Sequence, residues 1–217
     1  MLVGERMIHP VISVGPDVPV MDALEMLRRE HIRRAPVVEN GKLVGIVSEN
    51  DLRNASPGQA TTLSVWEINY LVSKITVRKV MTKEVVTTVE DTPIEEAARI
   101  MADHKVGGLP VLRDGKVVGI ITETDIFKVM LEMLGARQKA VRVSVIVPNV
   151  AGEIASLSKA IFELGGNIIA LGTFAGDDPS TSELVFKVAG PDEATLKAAL
   201  EPRSMEVRDV RTCGKTC

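Results

Sequence analysis

The sequence predicts a mixed α/β and α+β chain, with a pseudo-symmetric tandem of two repeats followed by a smaller βαββαβ sandwich. Three observations carry this reading. A shift of 74 residues lays the first two-thirds of the chain on itself without a gap, placing Met7 on Met81, Pro19 on Pro93, Pro36 on Pro110, Gly45 on Gly119 and Asp51 on Asp125. Each copy contains two β-branched runs joined by Asn40-Gly41 or Asp114-Gly115, dipeptides that supply the positive backbone angles of a two-residue hairpin turn. From Val141 the pattern changes, and Val141 to Val147 alternates as a half-buried strand.

Within each copy a β-rich run, Val11 to Val14 or Val85 to Thr88, precedes a proline and then apolar positions at helical spacing: Val20, Ala23, Leu24 and Leu27, or Ile94, Ala97, Ala98 and Met101. Thr92 reads as a helix cap, with Pro93 at the first helical position and Glu95 closing a capping box. The first copy has only Asp17-Val18 there, a poorer start. The hairpins follow, Pro36 to Val38 with Leu43 to Val47, and Pro110 to Leu112 with Val117 to Ile121. A closing helix then begins near Glu49 or Glu123.

Between the copies, Asn54 to Gly58 reads as a loop and Leu63 to Val72 as a helix whose Trp66 and Tyr70 are packing residues. The expected boundaries are a tandem over 1–135, with repeats at 7–56 and 78–135 and a linker helix at 62–75, then a domain over 139–212 and a flexible tail at 213–217. A one-sided sheet of one repeat buries too little alone, so the copies are expected to pack sheet against sheet and form two equivalent clefts.

The bulk numbers exclude several functional classes. With 217 residues, 45% hydrophobic and 25% charged, the chain is an ordinary globular protein, and its 3% aromatic content leaves the cores to aliphatic side chains. Its 26 basic and 29 acidic side chains give a net charge of -3 with no basic stripe, which argues against nucleic acid. Residues Met1 to Arg6 lack the apolar run of a secretory signal, and no segment approaches the ~20 apolar residues of a membrane helix. A cytoplasmic protein without membrane contact is expected. Cys213 and Cys217 sit in the tail, where they read as free thiols and not as a disulfide or metal site.

The chemistry-bearing signal is Gly45-Ile46-Val47-Ser48-Glu49-Asn50-Asp51 and its copy Gly119-Ile120-Ile121-Thr122-Glu123-Thr124-Asp125. A hydroxyl at a strand end, with a carboxylate three residues later in the first helical turn, suits a phosphorylated sugar: donors face phosphate and the acid accepts from ribose hydroxyls. The same residues also cap a helix with no ligand involved, and both readings stand.

The order strand, helix, hairpin, this motif and helix, occurring twice over residues 7 to 130, resembles the CBS-domain tandem, or Bateman module. That family binds adenosine-containing ligands such as AMP, ADP, ATP or S-adenosylmethionine in the clefts between copies. The resemblance implies that Asp51 and Asp125 hold ribose and that Ser48 and Thr122 approach phosphate. It also implies that Ile32, Arg33, Arg34 and Pro36, and Val106, Gly108 and Pro110, flank base and phosphates, with Ser13 and Thr87 nearby. The copies differ where Arg33-Arg34 stands against Gly107-Gly108. Paired arginines clamp a phosphate or form a solvated helix end, and the two clefts are expected to differ.

In the last third, a helix over Ile154 to Leu164 stops at Gly165-Gly166, and strands follow at Ile168 to Thr173 and Glu183 to Val188, a helix at Asp192 to Leu200 and a strand at Met205 to Val210. With Val147-Pro148-Asn149-Val150-Ala151-Gly152 after the first strand and Gly166-Asn167-Ile168 opening the second, this resembles the ACT domain, a ferredoxin-like module that senses amino acids at dimer interfaces. The implied effector residues are Asn149, Gly152, Asn167 and Ile168. Asn149 replaces the family's acid, so a purely dimerising domain is the alternative. The combination resembles the acetoin-utilisation B-type proteins.

No residue set proposes an enzyme. His9, His31 and His104 do not align between copies or recur at ligand spacing, and no glycine-rich phosphate loop occurs. The expectation is a regulatory sensor of adenine nucleotides, needing no metal or cofactor, assembled as a homodimer or higher even oligomer. The competing reading is an assembly module whose clefts stay empty.

Overall fold

The computed structural model describes residues 1–55 and 74–214; the expected linker helix with Trp66 and Tyr70, and Cys217, lie outside the described residues. The chain divides into two compact units, Met1–Ile126 and Phe127–Cys217.

In the first unit the two copies fold alike. The first copy contains α1 (Val20–Arg29), the hairpin β1 (Arg34–Glu39) and β2 (Lys42–Ser48), and α2 (Glu49–Asn54). A short helix, α3 (Val77–Val80), leads into the second copy, β3 (Thr88–Val89), α4 (Ile94–His104), β4 (Gly108–Arg113), β5 (Lys116–Thr122) and α5 (Glu123–Met133). Both hairpin turns have positive φ at both central residues, 51° and 78° at Asn40 and Gly41 and 50° and 74° at Asp114 and Gly115, as a turn matching strand twist requires. Each hairpin also carries its bulge at the same place, between Val37 and Val38 and between Val111 and Leu112.

Two local expectations are corrected. The strands expected at Val11 to Val14 and Val85 to Thr88 shrink to one parallel bridge, Val14 to Val37, and to the two residues of β3, which pair with Val111 and Leu112. Val14 donates to the Pro36 carbonyl at 3.0 Å and accepts from Val38 at 3.0 Å. One step upstream, the ladder needs the N–H of residue 36, and proline has none, so pairing stops there. The capping box at Thr92 and Glu95 does not form. The N-cap is Pro93, as Pro19 is in the first copy, and neither makes a side-chain cap bond. The Thr92 hydroxyl instead accepts from Thr88 at 2.9 Å.

The copies are joined by an exchange of their leading segments. Residues 1 to 8 bond to the second copy: Val3 N–H to the Thr92 carbonyl at 2.9 Å, Gly4 N–H to that of Glu90 at 2.9 Å, and Ile8 N–H to that of Ile120 at 2.8 Å. Residues 75 to 82 repeat this on the first copy, Val77 bonding to Val18 at 2.9 Å, Arg78 to Pro16 at 2.8 Å and Thr82 to Ile46 at 2.9 Å. Val77 accordingly belongs to the first copy's core with Val20, Leu24, Leu27, Val37, Val47 and Leu52, and Val3 is fully buried in the equivalent place.

Charges reinforce each leader differently. Arg78 bridges Asp17 at 3.0 Å and Glu39 at 2.6 Å; in the second copy position 78 is matched by Gly4, and Arg113 pairs with Glu90 at 2.6 Å instead.

The second unit contains β6 (Ala140–Pro148), α6 (Glu153–Glu163), β7 (Asn167–Ala175), β8 (Thr181–Ala189), α7 (Glu193–Leu200) and β9 (Glu206–Cys213), so that Cys213, expected in a flexible tail, instead ends a strand where it pairs with Ala140 of β6. The antiparallel sheet runs β7-β8-β6-β9. Val141, Val143, Val145 and Val147 of β6 and Leu184, Phe186 and Val188 of β8 face Leu157, Ile161, Leu196 and Leu200, so both helices cover one face. On the other face Lys187 is buried and donates to the Gly135 carbonyl at 2.6 Å.

The leader exchange depends on two glycines. A Cβ at Gly45 would fall 2.6 Å from Met81 Sδ and 3.0 Å from the Thr82 carbonyl; one at Gly119 would meet Met7 and, at 3.1 Å, the Ile8 carbonyl. Gly45→Ala and Gly119→Ala are each expected to cost about 1–3 kcal/mol of the first unit's stability, measured by urea denaturation, and to leave the second unit unchanged. Wild-type stability in both variants would show that the leaders are not packed this tightly.

A second test is electrostatic. The Asp17 carboxyl is held below its ordinary value chiefly by its hydrogen bond from Arg78. A depressed carboxylate contributes stability that is complete above its unfolded pKa and lost as pH falls through the folded one. In Arg78→Ala the drop in urea midpoint between about pH 6 and about pH 3 is expected to shrink slightly, and salt should shrink it in the wild type too.

Candidate functional site

The sequence motif folds as a cap. Ser48, extended at φ -108°, is the N-cap of α2; its hydroxyl accepts from Asp51 N–H at 3.2 Å, and Asp51 Oδ2 accepts from the Ser48 N–H at 2.8 Å and hydroxyl at 2.6 Å. In the second copy Asp125 Oδ2 accepts from the Thr122 N–H at 3.1 Å and hydroxyl at 2.6 Å. Asp125 is buried and Asp51 half-buried.

The segment entering each hairpin is tied to the same helix start. Glu49 N–H donates to the Arg33 carbonyl at 2.8 Å, and Glu123 N–H to the Gly107 carbonyl at 3.2 Å. This brings Ile32, Arg33 and Arg34 beside Ser48 and Asp51, and Val106 and Gly108 beside Thr122 and Asp125. Arg34 is opposite Ser48 and Gly108 opposite Thr122 in the strand register. Pro36 and Pro110 are buried within the first hairpin strands. Ser13 is exposed and Thr87 half-buried, each one residue ahead of the position that pairs with the hairpin.

The two arginines part company: Arg33 is exposed and Arg34 half-buried. Arg34 reaches across to the other copy, where its guanidinium lies against Gly107-Gly108. A Cβ on Gly107 would stand 2.8 Å from Arg34 Cζ, and one on Gly108 3.1 Å from Arg34 Cδ. Burial lowers the Arg34 pKa; Glu123 opposes that shift, Arg33 adds to it and Asp51 opposes it. Sequence reasoning missed Glu123 as a neighbour of Arg34, because the contact crosses between copies and no spacing within one copy reveals it.

In the second unit Asn149 and Gly152 border a shallow cavity of about 200 Å³ with Thr173 and Ser182. The Asn149 amide already donates to the Pro179 carbonyl at 3.2 Å, and its backbone N–H to Ser180 at 2.7 Å. Gly152, at φ 104°, is the N-cap of α6. Asn167 and Ile168 lie elsewhere: they pair with Ala189 and Val188, whereas Pro148 pairs with Thr181 at the opposite end of β8, and Ile168 packs on the core. Within one chain the structure does not bring these four residues together.

Among the described residues no group of three or more His, Cys, Asp or Glu could hold a metal ion, and no helix is long and apolar enough to cross a membrane. Residues 3–58 and 77–132 each match the family model for the CBS domain, together more than half of the chain. The L-aspartate semialdehyde sulfurtransferase of Methanocaldococcus jannaschii is 32% identical over 127 residues, 58% of this chain and 22% of that protein, so the chain spans about a fifth of that relative's length. Similar solved structures include three that bear on the repeats. The CBS domain pair of protein MJ0100, in complex with 5′-methylthioadenosine and S-adenosyl-L-methionine, has a TM-score of 0.50 and 30% identity, covering 60% of this chain and 95% of that one. CBSX2 in complex with AMP has a TM-score of 0.50 and 31% identity, covering 60% and 96%. A Vibrio cholerae protein described as an acetoin utilization protein has a TM-score of 0.52 and 29% identity, covering 62% and 93%.

Because both carboxylates complete helix caps, removing either is expected to be felt without any ligand. Asp51→Ala and Asp125→Ala should each cost about 0.5–2 kcal/mol in urea denaturation, the buried Asp125 more than Asp51. Equal, negligible losses would show that the caps contribute little.

Proposed function

The chain belongs to the CBS-domain family, and on that premise we propose that it is a non-enzymatic regulatory sensor whose paired repeats bind an adenosine-containing ligand: AMP, ADP, ATP or S-adenosylmethionine. The observation that carries this reading is the duplicated hairpin end, where a hydroxyl, a carboxylate and backbone N–H groups converge beside Ile32 to Arg34 or Val106 to Gly108. Similar CBS pairs hold adenosine compounds, which supports assigning ribose to Asp51 and Asp125 and phosphate to Ser48, Thr122 and the neighbouring main chain. Pro36, Pro110, Ser13 and Thr87 border the same ligand.

In this reading residues 1–135 are the sensing tandem and 139–212 an ACT-like, ferredoxin-like domain that pairs two chains; its order β6-α6-β7-β8-α7-β9 supports that assignment. Ligand acts by binding two arrangements of the repeats with different affinity, and the C-terminal domain passes the difference to a cytoplasmic partner protein. A second reading, an assembly module with empty clefts, is favoured by one fact: each Asp already accepts two hydrogen bonds from its own cap.

Thermal unfolding with each of the four ligands separates the readings. A ligand that binds only the folded state and is present at about 100 times its Kd adds about 2.7 kcal/mol and raises the Tm. The rise is expected for at least one ligand and is expected to fall in Asp51→Ala and Asp125→Ala, each compared with its own ligand-free Tm. No rise with any of the four leaves the assembly module.

A further inference from the structure

The open face of the second unit's sheet, turned away from α6 and α7, carries a row of like charge. Lys187 of β8 stands directly opposite Arg142 of β6, and Arg142 directly opposite Arg211 of β9. Like charges opposite one another on adjacent strands are destabilising. Asp209, in the next row, answers two of them, accepting from Arg142 at 2.9 Å and from Arg211 at 2.8 Å. Lys187 is left with a neutral partner. It is 6% exposed and donates to the Gly135 carbonyl at 2.6 Å, and among the described residues it forms no ion pair. A lysine buried this deeply without a counter-charge is rare.

Beside this row lies a cavity of about 280 Å³. The register explains the space. Lys187 is opposite Ala170 and Val185 opposite Gly172 on β7, so the two positions that could fill it carry a methyl group or no side chain at all. Phe174, Val185 and Leu134 supply apolar walls, and Arg142, Lys187 and Cys213 complete the border. None of Asn149, Gly152, Asn167 and Ile168 lines it, so it is separate from the effector positions expected from the sequence.

An apolar hollow bordered by two cations, in a row with surplus positive charge, matches a small molecule that is anionic at one end and apolar at the other. We propose that this cavity is a ligand site for a small organic carboxylate. Arg142 and Lys187 hold the carboxylate, and the apolar body lies over Ala170 and Gly172 against Phe174. Arg142 has donors beyond the one given to Asp209, and Lys187 beyond the one given to Gly135, so both bind the ligand without giving up their present bonds. The site does not rest on the nucleotide reading, because all of its residues lie in the second unit.

Cys213 provides the test. In a full-length Cys217→Ser chain it is the sole thiol, and its alkylation by iodoacetamide is followed by mass spectrometry. Phenylacetate and hexanoate, at matched ionic strength, are expected to slow the alkylation saturably, whereas uncharged phenylacetamide and inorganic phosphate are expected to leave it nearly unchanged. Arg142→Gln and Lys187→Met are each expected to raise the half-protecting concentration roughly tenfold, the scale of one charge-assisted hydrogen bond. Val185→Phe, which fills the cavity and keeps both cations, should abolish protection, each variant being compared with its own rate without ligand. Should Lys187→Met fail to fold, Arg142→Gln and Val185→Phe decide. Resistance of Cys213 to iodoacetamide in the ligand-free chain shows a closed cavity and overturns the proposal. So does an absence of protection by both carboxylates, equal protection by phenylacetamide or phosphate, or protection that survives Arg142→Gln or Val185→Phe unchanged.

Discussion

The reciprocal exchange of leading segments is the constraint on which the first unit depends. Residues 1 to 8 complete the second copy and residues 75 to 82 complete the first, through backbone bonds that repeat at the same offset as the sequence. The exchange buries Val3 and Val77, fills the space above Gly119 and Gly45 with Met7 and Met81, and sets the two hairpins against each other. Only because the hairpins face each other does Arg34 of one copy lie on Gly107-Gly108 of the other. The site is therefore a product of the exchange as much as of the motif.

Much of this was legible in the sequence wherever the signal is local. The hairpin turns follow from the φ preferences of Asn40-Gly41 and Asp114-Gly115, and the closing helices from Ser48 and Thr122 at strand ends. The strands and helices of the second unit lie within a few residues of their alternating or helical patterns. What could not be read depends on a distant partner. Val11 to Val14 has strand composition, but Pro36 removes the N–H the ladder would need. Thr92 has a cap's composition, but its carbonyl takes the Val3 N–H and its hydroxyl the Thr88 hydroxyl. Both are cases of tertiary context overriding local propensity.

At the site, capping and ligand binding are compatible rather than exclusive. The cap bonds converge on Oδ2 of each Asp and hold its carboxylate in one orientation, which is the preorganisation that a binding site requires. The offset of 74 residues made the duplicated motif visible, and Arg33-Arg34 against Gly107-Gly108 made visible that the two hairpin starts differ. The reach of Arg34 across the copies was invisible, because a side chain crossing a pseudo-twofold axis leaves no trace in the spacing of either repeat.

The exchange also orders events on the ribosome. The first copy can close as soon as its completing segment, residues 75 to 82, has emerged. The opening residues, Met1 to Ile8, are synthesised before their partners, Glu90 to Ile94 and Ile120, and meet the first of these only after more than eighty residues have followed. Such non-local closure is slow compared with hairpin formation. During that interval the nascent chain carries a finished first half with an undocked apolar segment at its start, and this segment is the part exposed to co-translational chaperones.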